Sequence, residues 1–276
     1  MSTSELEKGD AEAGRRIACV ALATQDEGRT AVELMLNDFC DALAAYERIS
    51  SRLVGVKSTG FQVTRLTAFN LLQSGTPQRD EEPADGANVR NKVAHASASK
   101  PASADTLVIA LAVNAFQNSA GRATRTGANG TDAFTLATLT DTLTRSARAA
   151  NLVPGGHVYA IAADADWEPV AALTCLDHLE HACRTPGASW HGGIATGALG
   201  LLPRLMHSPR LGAWRRPLSE HIDRLVAAVR MGCTLGELDH LTSPDAHSSI
   251  ADSIETVHYC LPRRLYELGF APRKQG

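Results

Sequence analysis

The sequence predicts a doubly wound α/β protein, in which helices cover both faces of a parallel β-sheet. Several segments of strand length are apolar throughout, without the alternation that is typical of a strand with one exposed face. These segments alternate along the chain with segments whose apolar residues recur at helical spacing. Because right-handed crossovers join consecutive parallel strands, this alternation predicts helices on both faces of the sheet.

The first strand and helix begin close to the N-terminus. Residues 17–23 form a continuous apolar run, residues 24–29 form a polar turn, and a helix is predicted from Thr30 onward. Its apolar residues recur at helical spacing: Val32, Leu36, Phe39 and Leu43. A second, weaker strand is predicted at residues 61–66.

A long polar segment separates the second strand from the third. Residues 74–105 contain only two large aliphatic residues, Val89 and Val93, among Pro, Gly, Ala, Ser and charged residues. Such a segment buries too little apolar surface to offset the entropy lost on ordering. We therefore expect a flexible, low-complexity insertion on the surface.

The remaining elements follow in regular alternation. Strands are predicted at residues 106–113, 157–162 and 190–196, with a turn at 154–156. Helices are predicted at residues 134–150, 169–183 and 218–231, and Gly232 ends the last one. We expect residues 1–14 to be a disordered tail and residues 15–232 to form one domain. Residues 233–276 would form a C-terminal extension with a short helix and a basic tail.

Composition and charge exclude several classes of protein. The chain has 276 residues, of which 44% are hydrophobic and 21% charged, and this is typical of a globular protein. A net charge of −3 argues against a dedicated nucleic-acid-binding protein. No apolar run reaches the roughly 18 residues of a membrane span, and residues 1–14 lack the apolar core of a secretory signal.

The cysteines indicate the compartment. The six cysteines include no CxxC pair, so they match neither a zinc site nor a disulfide scaffold. Reduced thiols of this kind are typical of the cytoplasm. The expectation is a soluble cytoplasmic protein that binds neither nucleic acid nor membranes.

Ligands of doubly wound sheets bind beyond the carboxyl ends of the strands, where the strand order reverses. The loops to consider therefore follow Ala23, Val113 and Ala162. The chain contains neither a Gly-x-Ser-x-Gly nucleophile elbow nor a Walker-type phosphate loop, so nothing in it favours a hydrolase or an ATPase.

Three segments carry a resemblance to a known family. Residues 188–197 contain a tryptophan, a pair of glycines and an apolar stretch that ends in glycine, and a helix closed by Gly232 follows them. Residues 261–266 have the sequence Leu-Pro-Arg-Arg-Leu-Tyr. Together these segments resemble flavodoxin-like flavoproteins related to the NAD(P)H-dependent FMN reductases, over most of the chain outside the tail and the insertion.

The resemblance implies a flavodoxin-like sheet of five parallel strands in the order 2-1-3-4-5. It also implies an FMN-binding oxidoreductase that transfers hydride from NAD(P)H through the flavin to a small-molecule or protein acceptor. Because the cofactor carries that chemistry, no catalytic side chain is predicted. Members of this fold often dimerise, so the sequence leaves open whether this protein forms a homodimer.

The resemblance places the FMN phosphate at the loop after the first strand. The family commonly has Ser-Pro-Arg-x-x-Gly-Asn-Thr there, and this chain has Thr24, Gln25, Asp26, Glu27, Gly28, Arg29 and Thr30. Backbone N–H groups at a helix N-terminus bind anions, glycine permits close approach, and the threonine hydroxyls add donors. Asp26 and Glu27 depart from the family by adding negative charge. The alternative is an ordinary capped turn without a ligand.

Two further loops would lie against the flavin ring. The loop after the third strand offers Asn114, Ala115, Phe116, Gln117 and Asn118. Phe116 could stack on the ring while the amides donate to its carbonyl oxygens; alternatively, Phe116 plugs the edge of the core.

The loop after the fourth strand offers Asp164 and Trp167. Trp167 could cover the ring or the ribityl chain. The alternative is a helix-capping loop that carries a surface tryptophan.

Two other groups have a functional and a structural interpretation. His178 and His181 lie between Cys175 and Cys183 on one predicted helix, and they either bind a metal or form a solvated face with the cysteines toward the core. A basic group either receives a nucleotide phosphate or an acidic partner, or pairs with surface carboxylates. Its members are Arg204, His207, Arg210, Arg215 and Arg216.

A second function remains open. The acidic residues Asp26 and Glu27, together with an aromatic content of 5%, favour a flavodoxin-like domain without a cofactor that serves as a binding or scaffolding module. Fold alone does not decide between the two functions.

Overall fold

A parallel sheet of six strands, in the order β2-β1-β3-β4-β5-β6, forms the centre of the structure. The computed structural model describes residues 15–23, 26–54, 60–67, 103–113, 136–207, 212–242, 253–260 and 262–269. The predicted tail at residues 1–14 and most of the predicted insertion lie outside the described residues.

The strands and helices alternate as the sequence predicts. The strands are β1 (Arg16–Leu22), β2 (Gln62–Thr67), β3 (Ala104–Ala112), β4 (Leu152–Ala163), β5 (Ser189–Thr196) and β6 (Ile254–Val257). The α-helices are α1 (Asp26–Val54), α2 (Leu136–Ala149), α3 (Val170–Ala182), α4 (Leu202–His207), α5 (Gly212–Met231), α6 (Leu235–Thr242) and α7 (Arg263–Gly269). A short 3₁₀-helix spans Leu199–Leu201.

The predicted order of the first five strands is confirmed. The chain leaves β1, forms β2 on one side of it, and returns to form β3 on the other side. The helix that follows β1 packs on one face of the sheet, and the helix that follows β3 packs on the other face. The strand order therefore reverses between β1 and β3, which is the switch point where such sheets bind ligands.

Each face of the sheet has its own apolar core. One core contains Ile17 and Cys19 of β1 together with buried residues of α1, α5 and α6. The other contains Ala18 and Val20 with buried residues of α2 and α3. Alternate residues of one strand serve opposite faces, so a strand between two layers of helices has to be apolar throughout. Among the described residues, no helix is both long and apolar enough to cross a lipid bilayer.

Strand β4 begins earlier than predicted. The sequence predicts a turn at residues 154–156, whereas the structure includes these residues in β4. The pairing with β3 jumps from Ala104–Leu152 to Thr106–His157, so the strand carries a bulge here. Gly155 has a φ of +75° and its N–H donates to the carbonyl of Gly187 at 2.8 Å. The turn chemistry is thus present, but it lies within the strand.

The sheet has a sixth strand that the sequence analysis missed. It placed residues 233–276 outside the domain, but β6 of that segment pairs with β5 over four positions, from Gly193–Ile254 to Thr196–Val257. Gly192 makes the approach possible, because it has a φ of +124° and an added Cβ would lie 2.5 Å from the carbonyl oxygen of Ser253. The Trp190 indole N–H donates to the Ser253 hydroxyl at 3.0 Å.

The polarity of β6 explains why it was missed. Its sequence is Ile-Glu-Thr-Val, which is too short and too polar to stand out as an apolar run.

Candidate functional site

The candidate site lies at the carboxyl edge of the sheet, beside the switch point. Helix α1 begins at Asp26, directly after the short loop that leaves β1. Its first-turn N–H groups have no partners within the helix, so they carry partial positive charge toward this edge. Gly28 is buried, Arg29 is half-buried and Thr30 is exposed. Thr24 and Gln25 lie outside the described residues.

The ends of β3 and β4 are held together at this edge. The Val113 N–H donates to the carbonyl of Ala163 at 2.8 Å. The five residues predicted to face the flavin from β3 follow directly, but Asn114, Ala115, Phe116, Gln117 and Asn118 lie outside the described residues. Their contact with a ring stays a prediction.

Asp164, the first residue after β4, points its carboxylate into its own loop. It is 1% exposed, and its two oxygens accept N–H groups from Asp166 at 3.1 Å and from Ala171 at 2.9 Å. The second bond caps the first turn of α3. Burial raises the pKa of Asp164 despite these hydrogen bonds. The arrangement supports the helix-capping interpretation of this side chain.

Backbone hydrogen bonds join the loop after β4 to the loop after β5. The Asp164 N–H donates to the Thr196 carbonyl at 2.8 Å, and the Ala198 N–H donates to the Asp166 carbonyl at 2.7 Å. Gly197 lies so close that an added Cβ would stand 2.0 Å from the carbonyl oxygen of Trp167. The two loops therefore form one wall of the candidate site.

Trp167 belongs to an aromatic cluster that also contains Tyr259 and Tyr266. Its half-buried ring lies 6.2 Å from the ring of Tyr259 and 5.5 Å from that of Tyr266, between centroids. One side of the ring is therefore packed against the C-terminal segment of the same chain. Whether it also touches a flavin stays a prediction.

The two tyrosines bond the C-terminal segment to the wall of the candidate site. The Tyr259 hydroxyl lies 2.8 Å from the Thr196 hydroxyl, and the Tyr266 hydroxyl donates to the Ala165 carbonyl at 2.5 Å. Burial raises the pKa of both phenols, so both remain protonated near neutral pH. The sequence analysis missed both residues as site components, although Tyr266 ends one of the segments that carry the family resemblance.

Two members of the predicted basic group pair with carboxylates within the protein. Arg215 pairs with Asp38 on α1, and Arg216 pairs with Glu220 at 2.7 Å. These contacts support the interpretation that the arginines pair with carboxylates. Arg204 is exposed, Arg210 lies outside the described residues, and the side chain of His207 does as well.

The cysteine–histidine stretch on α3 has its cysteines in the core, as one interpretation predicts. Cys175 and Cys183 are both 1% exposed, and burial raises the pKa of each thiol to about 12. The exposed His181 ring hydrogen-bonds the Asp177 carbonyl at 2.8 Å. Within the part of the chain that is described, no three His, Cys, Asp or Glu side chains converge as metal ligands would.

The described residues fit the two ends of FMN unequally. For the predicted FMN phosphate, the described residues offer the start of α1 with its buried Gly28. At the ring end, the described contacts of Asp164 and Trp167 are all with other residues of this chain.

No protein-family model matches the chain, and no curated protein is significantly similar to it in sequence.

Proposed function

We propose that this protein is an FMN-binding, NAD(P)H-dependent oxidoreductase. The observation that carries the proposal is the position of the α1 N-terminus, which follows β1 at the point where the strand order reverses. Helix N-termini at this position bind phosphate groups in doubly wound sheets. The bound flavin would accept hydride from NAD(P)H and pass electrons to an acceptor, so NAD(P)H is the proposed electron donor.

The chain's own residues would bind and orient the cofactor. The first turn of α1, with Thr24, Gln25, Gly28, Arg29 and Thr30, would hold the phosphate. Residues 114–118 and the wall that contains Asp164 and Trp167 would flank the ring. Arg29 would offset the negative charge that Asp26 and Glu27 add to this turn.

The proposed setting is the cytoplasm. All six cysteines are free thiols, which a reducing compartment maintains. The proposed electron acceptor is a small molecule or a protein, and a homodimer is compatible with the proposal.

A cofactor-free binding module is the second candidate. Two observations favour it: the Asp164 carboxylate is used as a cap, and the Trp167 ring packs against tyrosines of the same chain. In that case the acidic start of α1 would serve helix capping alone.

The first test is the visible absorption spectrum of the purified protein before and after addition of FMN and removal of the excess. We expect retained bands near about 375 and 450 nm, as for any oxidised flavin, and their bleaching on addition of NADH or NADPH. A colourless protein that retains neither FMN nor FAD would instead identify the cofactor-free module.

The second test places a carboxylate at the proposed phosphate site. We expect Thr30→Glu to abolish flavin retention, because the new charge repels the phosphate. Ala44→Glu is the matched control, since Ala44 is also exposed on α1 but far from its N-terminus. Equal flavin retention in the two variants would show that the phosphate binds elsewhere.

A further inference from the structure

Helix α1 extends past the edge of the sheet that lies opposite the candidate site. Its 29 residues span about 43 Å, whereas the seven residues of β1 span about 23 Å. Met35, Phe39 and Leu43 are buried along the side of α1 that faces the sheet. Tyr46 continues this side at helical spacing, but it is exposed, as is Ile49. The last turns of α1 therefore present apolar side chains beyond the core.

The end of α5 lies against this part of α1. The Arg230 guanidinium lies over the Tyr46 ring, 5.5 Å from its centroid, and donates to the Ser50 hydroxyl at 2.7 Å. The next residue, Met231, ends α5 and is also exposed. Tyr46, Ile49 and Met231 are thus exposed at two neighbouring helix ends, and we call them the helix-end surface.

Two more arginines border the helix-end surface. Arg48 directly precedes Ile49, and Arg52 follows it by three residues, so both are its neighbours on α1. Both arginines are exposed. The last carboxylate of α1, on Glu47, is turned toward the residues before β2, where it accepts the Phe61 N–H at 2.6 Å. The charge around this surface therefore fits an acidic segment that also carries an apolar side chain.

The N-terminal tail joins the described chain at this place. Arg15, the first described residue, donates to the carbonyls of Val229 at 3.5 Å and Arg230 at 3.1 Å, in the last turn of α5. A tail of 14 residues reaches up to about 46 Å when extended, which is long enough to cover the surface. Besides Leu6 and a single lysine, it contains four carboxylates: Glu5, Glu7, Asp10 and Glu12.

We propose that the N-terminal tail, residues 1–14, binds the helix-end surface of its own chain. Its carboxylates lie beside the four arginines at positions 15, 48, 52 and 230, and Leu6 contacts the apolar side chains. Because the tail is attached at Arg15, its effective concentration at the surface is high, so a modest affinity is sufficient. Nothing in this contact depends on flavin binding, which is proposed for the opposite edge of the sheet.

The first experiment identifies what lies on the helix-end surface. In Arg52→Lys, a water-soluble carbodiimide should join the introduced amine to a carboxylate of residues 1–14, and mass spectrometry of the monomer locates the link. Arg264→Lys is the control, because Arg264 is exposed on α7, at the edge of the candidate site, and should give no link to the tail. Links from position 52 only to a second chain, or no link to the tail, would overturn the proposal.

The second experiment measures amide hydrogen exchange at residues 44–50 of the full chain. Replacing the four tail carboxylates by amides should speed this exchange about fivefold, because a few exposed ion pairs are lost together. Sodium chloride at about 0.5 M should speed exchange in the parent but not in the variant, because salt screens these pairs. The substitutions are Glu5→Gln, Glu7→Gln, Asp10→Asn and Glu12→Gln.

Two results of the exchange experiment would overturn the proposal. Equal exchange in the parent and the variant would show that the tail does not cover the end of α1. Protection that increases with protein concentration would identify a second copy of the chain as the molecule on the surface.

An apolar substitution tests the surface itself. In the Arg52→Lys background, Ile49→Asn should lower the yield of the link to the tail, because Leu6 loses an apolar contact. Val170→Asn is the matched control, since Val170 is 65% exposed and Ile49 is 52% exposed, but Val170 begins α3 beside the candidate site. Circular dichroism checks that both variants fold. An unchanged yield in Ile49→Asn would overturn the proposed contact.

Discussion

At the residue scale, Gly197 shows how one missing side chain shapes the candidate site. The Trp167 carbonyl oxygen occupies the space that a Cβ of residue 197 would need. Contact this close cannot be relieved by rotating a side chain, because the obstacle is backbone. The glycine that follows the fifth strand is therefore required by the loop that crosses it.

We expect Gly197→Ala to lower the free energy of unfolding by about 2 kcal/mol, as overpacking of a tight site does. The wall loop must shift, so the tryptophan fluorescence of the folded protein should change as well. Gly60→Ala is the control, because its Cβ would meet only the Glu47 carboxylate at 3.8 and 3.9 Å. Urea denaturation followed by fluorescence measures both variants, and equal stability would contradict the contact.

The Asp164 carboxylate could serve two roles when only the sequence is considered. Its place in a polar loop after a strand suggests both a ligand contact and a cap, since a carboxylate serves either purpose. The structure favours the cap, because the carboxylate accepts the Ala171 N–H. The residue type alone does not specify which way the side chain points.

At the scale of elements, Tyr266 is the one buried side chain among residues 263–268 of α7. Tyr266 is 1% exposed, whereas Leu268 on the same helix is 86% exposed. Arg263 and Glu267 pair along the exposed surface of the helix at 2.6 Å, which contributes little to docking. The packing of Tyr266 against Trp167 and its bond to the Ala165 carbonyl therefore account for the position of α7.

We expect Tyr266→Ala to lower the free energy of unfolding by about 3 kcal/mol, as removal of a buried aromatic ring does. Amide hydrogen exchange should accelerate in residues 262–269 and in the wall loop at 164–167, because α7 loses its anchor. Leu268→Ala serves as the control and should change neither quantity. Unchanged exchange in Tyr266→Ala would mean that other contacts hold the helix.

Strand β6 is tied to its neighbours by charge as well as by pairing. Glu255 accepts from Arg224 of α5 at 2.9 and 3.1 Å, and Arg224 also pairs with Asp239 of α6. The arginine thus joins three elements. This network explains how a short polar strand completes a sheet that otherwise depends on apolar burial.

At the scale of the whole molecule, a histidine pair makes stability depend on pH. His157 of β4 and His191 of β5 stack with 3.9 Å between ring centroids, at the edge opposite the candidate site. Burial and the nearby Arg15 lower the pKa of His157, against the opposing charge of Asp105. Burial and His157 lower the pKa of His191, against the opposing effect of Glu237.

The sign of the effect follows from proton linkage. In the unfolded chain both histidines titrate near about pH 6.5, so below that pH the unfolded state binds more protons than the folded state. Their contribution to stability is therefore complete above about pH 6.5 and is lost as the pH falls toward their lower folded values.

The test is urea denaturation at pH values between about 7.5 and 5.5, which bracket this window. We expect the free energy of unfolding to fall less in His191→Gln than in the parent as the pH is lowered. The control is His258→Gln, because His258 is exposed. Comparing variants at each pH removes the contribution of the other titrating groups, which the variants share. An identical pH slope in His191→Gln and the parent would contradict the linkage.

The sequence by itself determined the location of the sheet's first five strands and of the helices between them. Strands β1 and β3 are buried on both faces over residues 17–22 and 107–112, where every residue is apolar. The signal is therefore complete within one short segment. The order 2-1-3-4-5 came with the family resemblance. The position of the site edge follows from that order.

Tertiary structure alone decided the sixth strand and the aromatic cluster. The Tyr266 bond to Ala165 joins residues 101 positions apart, and Arg65 reaches the Leu36 carbonyl of α1 only because β2 lies beside β1. Such features arise when ordinary residues from distant segments meet in the folded chain. The contacts of each residue depend on the neighbours that the fold brings to it, and a local sequence pattern does not specify those neighbours.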